Sequence, residues 1–327
     1  MTIEIGKRQI QLVAEVLKKM PESGKGLNFY SFNTNGVETF ASELYPPINY
    51  PHALNFFFFT VMHDFGFWYG DDKGYLMPLY GTINGKETKG SDLLWKVLTR
   101  KLLMETLQFE PAFLADILPK EFARIFSDDN GPIIWPDFEK RFKMTRAYGR
   151  WFMEEKISPS EILILVNQEE EPLKEFLWWT RRIPGYDRDS FFHKKNLLLA
   201  MILANRPEKF LKVKDPQNWK PIIDYHLMRL ALRLGLVELE KIDQKKNKKR
   251  EWVNVFIELE IRRAVYEAIC ELIEKSGRSM SFVDEKMWMG RKYCPEMITP
   301  ECDKCVFKSV CKKRVALFQP VFRTTSY

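Results

Sequence analysis

Long apolar runs are missing from this chain. The longest, Leu54 to Met62 with Phe56 to Phe59 at its centre, is far too short to span a bilayer, so no membrane partner is expected. The N-terminus is charged and lacks the apolar core of a secretory leader, which gives the cytoplasm as the expected compartment. Cysteine is scarce, with five residues in 327. Without a secretory context these do not read as a disulfide framework. Only four histidines occur, of which His52 and His63 sit in no recognisable motif. Internal repeats and low-complexity tracts are also lacking, which excludes a solenoid.

What is present is a folded, soluble type of chain. Its 45% hydrophobic and 14% aromatic content supplies ample core, and its length allows two packed domains. The net charge of +7 is concentrated at one end. Residues 241–327 hold 19 Lys and Arg against 12 Asp and Glu, whereas residues 1–240 hold 32 of each. Such a surplus suits a surface facing phosphates, and it suits equally a solvated loop carrying Lys245, Lys246, Lys248, Lys249 and Arg250.

Helical periodicity dominates. Residues 8–20 put Ile10, Val13, Leu17 and Met20 on one face. Residues 21–91 are punctuated by Pro and Gly and read as short strands or a long packed loop. From Leu93 the pattern predicts helices over Leu93–Leu107, Pro111–Phe126, Pro136–Glu155, Ser158–Gln168 and Glu171–Thr180. Ser158 serves as a cap, with Pro159 at the first helical position. Leu197–Leu203 and Ile261–Ile273 are apolar helical stretches, and Cys270 in the latter reads as an ordinary buried thiol.

The other four cysteines, Cys294, Cys302, Cys305 and Cys311, follow the spacing C-x7-C-x2-C-x5-C. Four thiolates this close can hold an iron-sulfur cluster or a tetrahedral zinc. The long first gap departs from the paired C-x-x-C knuckles of a zinc ribbon, which favours a 4Fe-4S cluster, with zinc as the alternative. Upstream, Leu227, Leu230, Ala231 and Leu234 form the apolar stripe of a helix that Gly235 stops. Asp224 enters that helix, a position an N-cap residue ordinarily takes.

The stretches Trp288 to Cys294 and Pro300 to Cys311 resemble the cluster loop of endonuclease III-type DNA glycosylases, whose first gap is one residue shorter. The string Asp224-x-His226-x-x-Arg229-x-x-x-Arg233 resembles the segment of helix-hairpin-helix glycosylases that begins with their catalytic aspartate, and it precedes the cysteines in the family's order. The resemblance implies that Asp224 stabilises positive charge developing on a sugar as its base leaves. Bifunctional members add a lysine nucleophile on the upstream hairpin. Here Arg182 to Asn196 corresponds, opening with Ile183-Pro184-Gly185 but lacking the second hairpin glycine, and Lys194 and Lys195 become the candidates, with His193 at the nucleophile position in the simplest register. Leu54 to Phe57, Phe191 to Ala200 and Ile223 to His226 also resemble the queuosine-nucleotide N-glycosylase (queuosine salvage) family, which lacks the cysteine loop. The long gap between Lys195 and Asp224 suggests 8-oxoguanine glycosylases with an enlarged hairpin as a third relative.

These readings give a mainly all-α expectation: a helix-hairpin-helix glycosylase-like helical barrel with a C-terminal iron-sulfur loop. Residues 1–90 form an N-terminal segment, 91–222 the barrel ending in the hairpin, and 223–327 the aspartate helix and cluster domain. The implied activity is excision of a modified base from DNA, with strand cleavage optional. The alternatives are release of a base such as queuine from a modified nucleotide, and a non-catalytic iron-sulfur nucleic-acid-binding protein. Trp68 and Tyr225 are expected to line the base pocket, with His193 and His226 touching substrate. A monomer is expected.

Overall fold

The computed structural model describes residues 3–21, 29, 33–34, 37–38 and 44–327, so part of the irregular stretch expected over 21–91 lies outside the described residues. Thirteen α-helices, 54% helix, and only short strands occur among the described residues. The chain is therefore of the mainly α class. It divides into two compact units: residues 1–26, 70–76 and 220–323 in one, and 27–69, 77–219 and 324–327 in the other. The segment 1–90, expected as one block, is shared between them.

The first unit brings together segments far apart in sequence. Strand Ile3–Ile5 pairs antiparallel with Val237–Leu239, Ile3 opposite Leu239. Gly6 follows, its N–H bonded to the Leu236 carbonyl at 2.8 Å. A side chain there would strike the Gly235 carbonyl at 2.5 Å, so the crossing requires a residue without one. Helix Lys7–Lys19 then buries Ile10, Val13, Ala14 and Leu17 and packs against helix Val255–Ser276. Its C-terminal carbonyls need partners, which Arg278 supplies by donating to Leu17 O, Lys18 O and Met20 O. Helix Val255–Ser276 starts at Asn254, whose Oδ1 accepts from Ile257 N–H at 2.9 Å. It ends at Gly277 with φ +63°.

In the second unit the fully buried Phe56, Phe57, Phe58 and Phe59 make helix Ala53–Met62 a central rod. It is packed by helices Gly90–Met104, Pro159–Gln168 and Lys194–Asn205. A helix apolar on every side belongs in an interior. The expected helix Pro111–Phe126 is two helices, Pro111–Asp116 and Pro119–Ile125. Pro119 forces Leu118 into extended backbone, φ −85° and ψ 154°. Ser158 caps helix Pro159–Gln168 as expected, accepting from Glu161 N–H while Glu161 accepts from Ser158 N–H. Strands Tyr80–Ile83 and Lys86–Lys89 form a hairpin. Asn84 and Gly85 both take positive φ at its turn, the conformation Asn-Gly favours.

Candidate functional site

Cys294, Cys302, Cys305 and Cys311 line one cavity of the first unit together with Leu230, Arg233 and Tyr293. All four are half-buried and unbridged. Donors converge on the sulfurs. The Cys294 Sγ accepts from Arg233 Nη1 at 3.3 Å, Cys311 Sγ from Lys313 N–H at 3.2 Å, and Cys305 Sγ from Phe307 N–H. Burial, and after it the neighbouring thiols, push the Cys305 and Cys311 thiols up, against the pull of those backbone donors. Among the described residues no three His, Cys, Asp or Glu side chains are grouped as ligands to a single metal ion.

Helix Tyr225–Leu234 holds that loop in place. Its polar face carries His226, Arg229 and Arg233 at helical spacing, all buried. Arg233 donates from Nε to Leu317 O at 2.7 Å and from Nη1 to Pro295 O at 2.7 Å. Arg229 lies 3.2 Å from Glu296 Oε1 and donates to Gln319 Oε1 at 2.9 Å. Nδ1 of His226 is 3.3 Å from the same Glu296 oxygen and 3.0 Å from Arg229 Nη2. In place of the expected substrate contact its neighbour is a carboxylate on the loop between the first two cysteines. Burial lowers Arg229 while Glu296 opposes the shift. A buried carboxylate facing a guanidinium is expensive to unpair, so this contact locks helix to loop.

At the head of the same helix Asp224 is 8% exposed. Its Oδ1 accepts from Leu227 N–H at 2.8 Å, the capping geometry the sequence suggested. Ile223, just before it, is fixed by Arg262, whose Nε and Nη2 donate to the Ile223 carbonyl at 3.2 and 3.0 Å. The Tyr225 ring lies 4.0 Å from that of His226. Burial, then Glu296 and Asp224, raise the Tyr225 phenol well above its ordinary value. The result is a carboxylate of fixed direction at a helix N-terminus, where negative charge is favoured.

His193, Lys194, Lys195 and Trp68 belong to the second unit, and all four are buried. Neither lysine is solvated. The Nζ of Lys194 sits 2.5 Å from Asp64 Oδ2, and Lys195 Nζ donates to Met62 O at 2.5 Å and Gly185 O at 3.2 Å while facing the Phe65 ring. Burial, with Lys194 and Arg141 adding to it, holds the Lys195 amine well below its usual value. Nearby Arg141 donates to the carbonyls of His63, Phe65 and Pro136, and burial brings it down to about 9.

Helices Pro172–Thr180 and Lys194–Asn205 are joined by residues 181–193. Phosphate capture by such a connection needs free backbone N–H groups. Two of them are taken by this chain's own carboxylates: Gly185 N–H by Asp187 Oδ1 at 3.0 Å and Lys194 N–H by Asp189 Oδ2 at 2.9 Å. Exposed cationic charge lies instead on helix Lys241–Lys248, where Lys245, Lys246 and Lys248 reach solvent.

Sequence reasoning singled out the cysteines, Asp224, Tyr225 and His226. It missed Glu296, Gln319, Asp64 and the two plugging aspartates, whose partners lie far away in sequence or off any motif; for Asp187 and Asp189, closeness to a helix start was a usable signal. Compared with known protein families, the chain matches none, and no curated protein matches it significantly.

Proposed function

We propose that this chain hydrolyses the N-glycosidic bond of a modified base in DNA, with Asp224 as the carboxylate facing the sugar. The supporting observation is that one helix does two jobs. Its N-terminus presents Asp224, and its later turns hold the cysteine loop through Arg229 and Arg233.

As the bond from C1′ to the base lengthens, positive charge develops on the sugar, and a fixed carboxylate in a water-poor site stabilises it. Water then bonds to C1′, its proton passing toward Asp224, and the base leaves with the electron pair of the broken bond. Cys294, Cys302, Cys305 and Cys311 are the residues that would hold a 4Fe-4S cluster, which when bound would tie the loop covalently to itself. The three sulfurs that accept N–H bonds suit thiolate ligands. Strand cleavage through Lys194 or Lys195 would require an amine to leave its core partners, so hydrolysis is the principal reading.

A second reading, release of a base from a free modified nucleotide, is favoured by the occupied amides of Gly185 and Lys194, which are not available to a DNA phosphate.

Release of base from damaged duplexes, assayed beside queuosine 5′-phosphate, separates the two. Asp224→Asn should lower release by at least about a hundredfold, roughly 2.7 kcal/mol of barrier, while the amide still caps the helix. Near-normal turnover by a variant that melts earlier would reduce Asp224 to a cap. Anaerobically prepared protein should contain iron and sulfide and absorb broadly in the visible; stoichiometric zinc without iron would overturn the cluster.

A further inference from the structure

Helix Lys241–Lys248 is pinned from below by one residue. Asn247 is buried, donating from Nδ2 to Phe318 O at 2.8 Å and accepting from Phe318 N–H at 2.7 Å. The opposite face is therefore held toward solvent. On that face Ile242 is 63% exposed, and helical spacing sets Lys245, Lys246 and Lys249 on the next turns beside it. An isolated exposed isoleucine is ordinary, but further exposed apolar side chains follow it closely along the chain. The chain turns at Arg250, with φ +60°, and the next helix opens with Val255 at 43%, Phe256 at 74% and Leu259 at 37% exposed. Acidic residues lie at the start of the same helix, Glu240 and Asp243, and after it, where Glu251 lies 3.7 Å from Lys249 and Glu260 pairs with Arg263.

We infer that this surface binds single-stranded nucleic acid, with Phe256 as a stacking platform for an unpaired base and Lys245, Lys246, Lys248 and Lys249 following the phosphates. Phosphate charge complements the lysines, and every base offers a face to an exposed ring, whereas a duplex keeps its bases stacked on one another. The inference rests on this surface alone and does not depend on the glycosylase reading, because binding is measured on undamaged strands with Asp224 intact.

The test is fluorescence anisotropy of the whole protein with a labelled 15-nucleotide oligothymidine, the matching duplex and anionic phosphatidylserine vesicles. Wild type should prefer the single strand. Phe256→Ser should weaken it at least about fivefold, the lower end of what one base stack contributes, and Phe256→Trp should restore it. Changing the four lysines to Ser should flatten the salt dependence by up to about 3 units. Phe256 is so exposed that its replacement should leave melting unchanged, which the same samples report. Equal binding by Phe256→Ser, tighter binding of the duplex, or binding of vesicles in place of the oligonucleotide would each overturn the inference. Failure of base release with intact oligonucleotide binding would count against the proposed reaction only.

Discussion

Two helix starts in this protein look alike and are built for different ends. At Tyr225–Leu234 the capping carboxylate is Asp224 itself, bonded to an amide of its own first turn. At Lys194–Asn205 the N-terminal amide is taken by Asp189, reaching back from the preceding connection. There the first side chain, Lys194, turns inward to Asp64. The first start offers a carboxylate of set direction on a helix whose later turns grip the cysteine loop. The second absorbs its charges internally. What separates them is the partners each residue finds, which lie elsewhere in the chain.

The most damaging change should fall on the inward-turned start. Asp64→Leu leaves the Lys194 ammonium buried without a counter-charge and should cost about 3–5 kcal/mol, read as a lowered denaturant midpoint at unchanged slope. A loss below about 1 kcal/mol would mean that water reaches Lys194 and that the two starts differ less than their geometry suggests. Asp224→Asn should show the reverse profile, a large loss of base release with little loss of stability, and the pair of variants together is the sharpest contrast available.

A smaller effect is a slope in pH. Folding lowers the Lys195 amine well below its ordinary 10.5, chiefly through burial. The unfolded chain therefore holds that proton more tightly, and between the lowered value and 10.5 stability rises with pH, by up to about 1.4 kcal/mol per unit. Other groups act in the same range. The Cys270, Cys305 and Cys311 thiols, raised from 9.0, oppose the trend, as do the buried phenols of Tyr148, Tyr186 and Tyr225 above about 10. Arg141 at about 9 adds to it, so the difference between wild type and Lys195→Met isolates the amine. Denaturant melts of Lys195→Met should lose this slope; if wild type and variant run parallel, the amine stays charged on its two carbonyls. The smallest effect belongs to Ser158→Ala, about 1 kcal/mol in thermal melts. It measures what a cap without further duties contributes, and so calibrates the stability change at Asp224.

Much of this was legible in the sequence where the signal is local. Periodicity located the helices from Leu93 to Thr180 to within a few residues, Ser158 marked its helix start, and Asp224 and Gly235 marked the two ends of theirs. The helix Ala53–Met62 was missed in a stretch read as strands or packed loop, as were Lys241–Lys248 and Met280–Met289. The Asn84-Gly85 hairpin, in a stretch read only as short strands or a packed loop, carried a usable signal that was missed. The break at Leu118 was masked by continuous helical periodicity across Pro119, a residue as much at home at a helix start as at an interruption. What stayed hidden was pairing at a distance. Nothing near His226 or Arg229 announces Glu296, and two adjacent lysines at a helix start do not reveal that both amines are buried.

The strand Ile3–Ile5 is made well before its partner Val237–Leu239 and the covering helix Val255–Ser276. At a synthesis rate of about 5–20 residues per second, that strand waits roughly 10–50 seconds on the ribosome. Through this interval Ile10, Val13 and Leu17 have no cover. Most of the second unit, by contrast, has already emerged and can collapse. Birth order is thus inverted in the first unit, whose opening residues are among the last to dock, and a nascent chain halted near residue 219 would present that apolar helix face to chaperones.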